Sequence, residues 1–336
     1  MLYINDFFVR SKEAVSNQME LLLNKNGGRI IAATRFMGQR ALQTNELKDS
    51  IYLFPPFLYW IVMIFQVLFS KDDIHVFEEE PSKIKRFFFN MSRKKVYVSM
   101  YRRPYRKYAE HLKKYKRLKY VFVELEEHKQ KLMGYGIDED KIVVSPTPSK
   151  IPRKKSEKTL DKSNVKIVFA SWNSSEGNPL KERGIEYLLN MLKENPTFTL
   201  EIPLRDSNTE EFWRMAKAIG VQERINLFWA KDDQEIIDMF DSADFVAFVP
   251  QKKIVKDVPN SLIDGLVRGK PIIVSDVIDA RYIVEKHGVG FVIPKGEQAK
   301  KLRVSADEYA DMSKKAFEYS KIHSPQYYVE IISSKY

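Results

Sequence analysis

Apolar runs of roughly four to eight residues alternate with amphipathic stretches along the chain, a rhythm that predicts strands separated by helices. Met1–Phe8 reads as a strand leading into SKEAVSNQMELLL, where Ser11 can cap a helix and Val15, Met19 and Leu22 fall at helical spacing. Gly27-Gly28 breaks the chain before RIIAAT, and Ile51–Phe54 starts a third strand ahead of Pro55-Pro56 and a helix-compatible stretch to Phe69. IHVFEE, KVYVSM, YVFVEL and KIVVSP supply four more. Strands alternating with helical stretches imply a parallel, doubly wound sheet.

The pattern stops at SPTPSKIPRKKSEKTLDKSN, which is rich in Pro, Ser and Lys and reads as an exposed connector. A first domain over 1–148 and a linker over 149–164 follow from that. The rhythm then restarts with strands KIVFAS, FTLEIPL, INLFWA, DFVAFVP and PIIVSD, separated by GIEYLLNML, TEEFWRMAKAIG, EIIDMF and NSLIDGLVRG as helices. A second Rossmann-like lobe is predicted from 165 onward. The total of 336 residues suits two lobes of roughly 150 each.

Charge changes this picture in one place. The net charge is +11, and residues 1–150 hold 27 Lys+Arg against 17 Asp+Glu while the remainder is almost balanced at 29 against 28. Within the first half, Lys83–Lys119 carries 15 Lys+Arg and a single acid, Glu110, which predicts a local anion-binding face. Composition closes off other classes. Zero cysteine removes disulfides, thiolate metal sites and a cysteine nucleophile. The histidines at 75, 111, 128, 287 and 323 show no pair at metal spacing, so no metal site is expected. No Walker or Gly-x-Ser-x-Gly pattern occurs. The opening MLYINDFFVRSKEAV does not read as a signal peptide, which leaves a cytoplasmic setting as the expectation.

Several segments of the second lobe, in order, resemble GT-B glycosyltransferases, particularly the retaining family-4 enzymes (glycosyl transferases group 1). NVKIVFASWNSSEGNPLKERGIEYLL runs from a strand to Arg183-Gly184, where that family has a Lys-Gly at the start of a helix. INLFWAKDDQEIIDMFDSADFVAFVP resembles the stretch from the nucleobase-side loop to the strand before the donor loop, and PNSLIDGLVRGKPIIVSD follows the proline-to-helix segment and the next strand. FVELEEHKQKLMGYGIDEDKIVVSPTPSK resembles the end of a family N-terminal domain. The resemblance implies an α/β GT-B fold, two Rossmann-like doubly wound domains facing across a cleft. It further implies a nucleotide-sugar domain over 165–312 and a C-terminal helix over 313–336 that returns to the first domain.

The activity so implied is transfer of a sugar from a nucleoside-diphosphate sugar, with retention and without an obligatory metal or other cofactor. Charge builds on the leaving diphosphate as the glycosidic bond breaks, so cations and helix N-termini are needed there. Arg183 is the first candidate clamp, with Lys181 beside it and Arg205 after the next strand. Each also reads as a solvated cation. Trp229 falls in the nucleobase-side loop. Pro259-Asn260-Ser261 opens a helix whose N–H groups and Ser261 hydroxyl could meet the diphosphate, or could form an ordinary cap. Asp264 matches the second Glu of the family's Glu, seven residues, Glu pattern and would take the donor ribose hydroxyls.

The sequence also departs from the family. The first Glu of that pattern is Lys256, an inverted charge beside the transferred sugar that suits an anionic sugar, a phosphate or Asp257. The expected Gly-rich turn after Asp276 is Val277-Ile278-Asp279, the expected first-lobe histidine becomes Met100-Tyr101, and the Gly-Gly acceptor loop becomes Val9-Arg10-Ser11. These departures motivate an alternative, a non-catalytic GT-B protein that binds a glycan, a nucleotide or a protein partner.

The basic segment interleaves tyrosines with cations, and Arg102, Arg103, Arg106 and Lys107 are its candidates for an acceptor or membrane face. YLFPPFLYWIVMIFQVLF is apolar but interrupted by Pro55-Pro56 and Gln66, so it reads as a buried crossover helix, with a lipid-contacting face and, behind it, a membrane span as the alternatives. A glycan or lipid-linked acceptor is expected, at an anionic membrane surface on its inner face or free of it. Nucleic acid is not expected, since no RNP-like, zinc-finger or Gly-x-x-Gly clamp accompanies the cations.

Overall fold

The computed structural model describes every residue except 7, 9–13, 34–49, 79–80, 171–181, 205–208 and 253–256. The chain divides into two compact units, 1–148 with 325–336, and 149–324.

The first unit runs β1 (Leu2–Asn5), α1 (Ala14–Asn26), β2 (Arg29–Ala33), β3 (Ile51–Phe54), α2 (Pro56–Phe69), β4 (Ile74–Glu78), α3 (Lys83–Met91), β5 (Val96–Met100), α4 (Arg106–Leu112), β6 (Leu118–Val123), α5 (Glu126–Gly134) and β7 (Ile142–Val144). Its strands are parallel, in the order β3-β2-β1-β4-β5-β6-β7. Because strand side chains alternate between faces, each β-strand feeds two cores. Leu2, Ile4, Val76 and Val98 pack under α2 to α5, whereas Tyr3, Ile30, Phe77 and Tyr97 pack on the side of α1.

The second unit runs β8 (Val165–Val168), α6 (Ile185–Glu194), β9 (Phe198–Pro203), α7 (Glu210–Ile219), β10 (Ile225–Phe228), α8 (Asp233–Ser242), β11 (Phe245–Phe248), α9 (Asn260–Val267), β12 (Ile272–Ser275), α10 (Arg281–His287), β13 (Gly290–Ile293) and α11 (Ala306–Tyr319). Its parallel sheet has the order β10-β9-β8-β11-β12-β13. Every strand expected from the sequence is present, and both sheets are parallel and doubly wound.

Three features differ from the sequence reading. The segment after 148 is exposed at most of its side chains, as expected, yet it is no free connector but a strap tied along the second unit. Its backbone N–H groups at Lys154 and Ser156 donate to the carbonyls of Val267 and Arg268. The Arg153 guanidinium covers the Phe317 ring at 3.7 Å, and Lys158 reaches the buried Asp244 at 2.8 Å. Its many cations fit this role because carboxylates and carbonyls of the unit await them. The returning C-terminal element is also shorter than expected. α11 stays with the second unit and ends at Tyr319, and a separate α12 (Pro325–Ser333) packs on α1. Pro325 explains the break, since the residue before a proline avoids helical ψ, and Ser324 is extended at φ −74°, ψ 146°.

The basic run Lys83–Lys119 is not one face either. It spans α3, β5 and α4, so Arg93, Lys94 and Lys95 lie before β5 and Arg102, Arg103, Arg106 and Lys107 after it. A five-residue strand of about 17 Å separates the two groups. Lys85 leaves the surface altogether, buried with Nζ 2.6 Å from Asp6.

His75 sits in the middle of the first sheet with no exposed surface, stacked on Phe77 at 4.5 Å. Its Nδ1 meets the Tyr336 hydroxyl, and Nε2 lies 2.8 Å from Ser99 Oγ. Burial pushes its pKa down to about 3 from the ordinary 6.5. Below pH 6.5 the unfolded chain therefore takes a proton that the folded chain refuses. This stability is complete above that pH and lost as pH falls toward 3. In urea unfolding, the first unit should lose about 2 kcal/mol between pH 6.5 and 5 from this group. His75→Phe should remove about that much of the loss, and an unchanged pH slope would exonerate the histidine.

Candidate functional site

The order of the second sheet creates a singular point. From β8 the chain moves outward to β9 and β10, then returns across the sheet to β11 and moves the other way. β8 and β11 are hydrogen-bonded neighbours, pairing Ile167 with Phe245 and Val168 with Val246, yet their connections leave in opposite directions. A crevice opens at the carboxyl end of such a pair, where open α/β sheets receive ligands. Phe169 and Phe248 stack beneath it at 5.9 Å and 14°.

Two helix N-termini reach this point. α6 begins after Gly184, whose φ of +82° is left-handed, and a Cβ there would lie 2.0 Å from the Val249 carbonyl oxygen. Only glycine allows α6 to start pressed against the end of β11, and that contact sets Arg183 beside it. α9 begins directly after Pro259, and Gly265 lets it lie flat on β11, because a Cβ would come 2.5 Å from Val246 Cγ2. Neither helix has a side-chain cap on its first turn. An uncapped N-terminus offers N–H groups and the positive end of the helix dipole to an anion. Ser275 closes the next strand by donating to the Pro250 carbonyl at 2.7 Å, and Gln251 Nε2 donates to Val249 at 3.1 Å.

Among the residues singled out from the sequence, Arg183 lies just before α6, and Pro259, Asn260 and Ser261 open α9, on the carboxyl side of the second sheet. Trp229 follows β10 on the same edge and is exposed, but it sits two strands out from β8, about 10 Å along the sheet. Asp264 is buried one turn into α9. Its Oδ1 accepts from the Ser149 hydroxyl at 2.7 Å and the Lys150 N–H at 3.2 Å, so this carboxylate also fastens the strap. Lys181, Arg205 and Lys256 lie outside the described residues. Asp257 is buried, and its carbonyl and carboxylate accept from Ala280 and Asp279 N–H groups. Sequence reasoning passed over Arg281, which opens α10 after β12 with its guanidinium 4.6 Å from the Tyr282 ring. A cation just past a strand of the restart pattern is the signal that could have found it.

This double Rossmann-like architecture, with the last helix returned to the first unit, is the GT-B fold. Solved structures with the same fold include Anabaena HepE in complex with UDP and glucose, at TM-score 0.73 and 12% identity over 99% of this chain and 98% of that one. WaaG, a glycosyltransferase involved in lipopolysaccharide biosynthesis, matches at 0.68 and 12% over 99% and 100%. Sucrose-phosphate synthase from Thermosynechococcus elongatus matches at 0.71 and 10% over 99% and 97%. At such identities these likenesses carry the fold alone. Residues 175–321, all within the second unit, match the family model described as Glycosyl transferases group 1. No curated protein matches the chain significantly.

The close approach at Gly184 is open to a direct test. Gly184→Ala should destabilise the second unit by about 2 kcal/mol or more, read as a lowered thermal midpoint. Gly220→Ala shares a φ of +81° but meets nothing within 4 Å, and should cost only about 1 kcal/mol. Equal effects would mean the backbone contact with Val249 carries no weight.

Proposed function

We propose that the protein is a glycosyltransferase that moves a sugar from a nucleoside-diphosphate sugar to a glycan or lipid-linked acceptor, with retention of configuration. The observation that carries this reading is the pair of uncapped helix N-termini, α6 and α9, at the switch between β8 and β11, with Arg183 beside them. The family match over 175–321 supports the donor class, as does a HepE structure that contains UDP and glucose.

In the reaction, the bond between the anomeric carbon and the diphosphate oxygen breaks as the acceptor oxygen attacks from the same face. The acceptor proton passes to the departing phosphate. Negative charge grows on the diphosphate during this step, and the first-turn N–H groups at Gly184 and Asn260–Ser261 are fixed dipoles that require no reorganisation to meet it. Arg183 adds a full charge with planar, bidentate geometry, so diphosphate departure needs no metal. Trp229 offers a flat apolar surface to the nucleobase, and Asp264 receives the ribose hydroxyls. Lys256, placed where the family has an acid, favours a donor sugar or acceptor that is itself anionic.

Calorimetry with uridine and guanosine diphosphates checks the placement. Arg183→Ala should weaken binding by about tenfold to a hundredfold, the cost of one charge-assisted contact, while Arg205→Ala should change it less than about threefold. A panel of nucleotide sugars with released diphosphate as the readout should show turnover that Arg183→Ala abolishes. Diphosphate binding without turnover of any donor would favour the non-catalytic alternative, and equal, negligible effects of both substitutions would remove the site.

A further inference from the structure

The helix α2 carries two apolar faces. Tyr59, Met63 and Val67 form a stripe buried in the first unit's core. Half a turn away, Phe57, Ile61, Phe65 and Phe69 form a second stripe that is exposed, from 55% at Ile61 to 74% at Phe57. A helix buried all round would show no such stripe, and a helix on an aqueous surface would carry polar residues there. No charged residue occurs between Pro56 and Phe69. α3 packs beside α2 in the same layer and buries Phe89 in the same core, while Ile84, Phe87 and Met91 remain exposed on its outer side. Two neighbouring helices thus expose these seven large apolar side chains in an apolar ridge, a feature that marks an interaction surface.

The charge around the ridge selects its occupant. Lys83 opens α3, Arg93 and Lys95 follow it, and Lys94 Nζ donates to the Val67 carbonyl at the end of α2. α4 packs into the same layer and exposes Arg106 and Lys107. The adjoining carboxylates Asp72 and Asp73 are already held, by Arg29 at 2.7 Å and by the Lys95 N–H at 3.0 Å. A second copy docked on this ridge would set cationic rim against cationic rim. An anionic lipid surface satisfies both the apolar centre and the basic rim. Length fixes the mode. Fourteen residues make a helix of about 21 Å, short of the roughly 30 Å hydrocarbon core, and no described helix is long and apolar enough to cross a membrane.

We infer that α2 and α3 form an in-plane membrane-docking surface for anionic bilayers, with Phe57, Ile61, Phe65 and Phe87 entering the headgroup–acyl boundary and the exposed Lys83, Arg93, Lys95, Arg106 and Lys107 on the lipid phosphates. This surface is separate from the donor edge and does not depend on the donor assignment.

The chain's lack of cysteine makes a site-specific probe simple. Phe65→Cys carrying an environment-sensitive dye should blue-shift on adding phosphatidylcholine vesicles containing about one-third phosphatidylglycerol, and not on adding pure phosphatidylcholine. The same dye at Lys217→Cys, on the exposed side of α7, should not respond. Sedimentation with the anionic vesicles should fall about tenfold or more in Phe57→Gln/Phe87→Gln, with an unchanged thermal midpoint because both rings are exposed. It should also weaken in Arg106→Glu/Lys107→Glu and on raising salt. Absence of vesicle binding at low salt, or binding indifferent to the phenylalanine variants, overturns the proposal. So does a wild-type dimer that those variants convert to monomer, which would make a second copy the occupant. Diphosphate binding by calorimetry should be unchanged in every one of these variants, which keeps this test apart from that of the donor edge.

Discussion

The arrangement of the second unit follows from one constraint: two strands that are neighbours in the sheet but whose connections leave on opposite sides cannot cover the ground between their ends. β8 and β11 are that pair. Each is followed by a helix that starts on the carboxyl side of the sheet with no side-chain cap from the residue before it. The glycine contacts at 184 and 265 seat the two helices against the end and the face of β11.

The opposite edge of the same sheet does different work with similar residue types. The buried Arg268 holds Asp241 through Nε and Nη2 and donates from Nη1 to the Pro152 carbonyl, while Asp244 takes Lys158 and the Lys166 N–H. Lys270 Nζ donates to the Asp241 carbonyl, and burial pushes its pKa down to about 8. These ion pairs tie the strap of residues 149–158 to the sheet. The cations at the amino end are thus structural.

Much of this was legible in the sequence because strand period and helix period are local properties. Parallel strands buried on both faces, such as PIIVSD and DFVAFVP, announce themselves as short apolar runs, and Arg183-Gly184 and Pro259-Asn260 are local punctuation. What was not legible depends on partners far apart in sequence. The residues of the strap resemble a solvated linker until Asp241, Asp244 and Asp264 are brought beside them. The charge of Lys83–Lys119 resembles one patch until β5 divides it, and α2 resembles a core helix because its composition is apolar on both faces. Asp264 shows both sides of the matter: its position in the helix was evident, but its hydrogen bond to Ser149, over a hundred residues away, was not.

Backbone hydrogen exchange with and without a nucleoside diphosphate tests the shared anion edge most directly, because it reads the N–H groups themselves. Added uridine or guanosine diphosphate should slow exchange at Gly184–Glu186 and at Asn260–Leu262 together. Protection confined to other loops, or protection of one helix start without the other, would contradict a ligand held between the two.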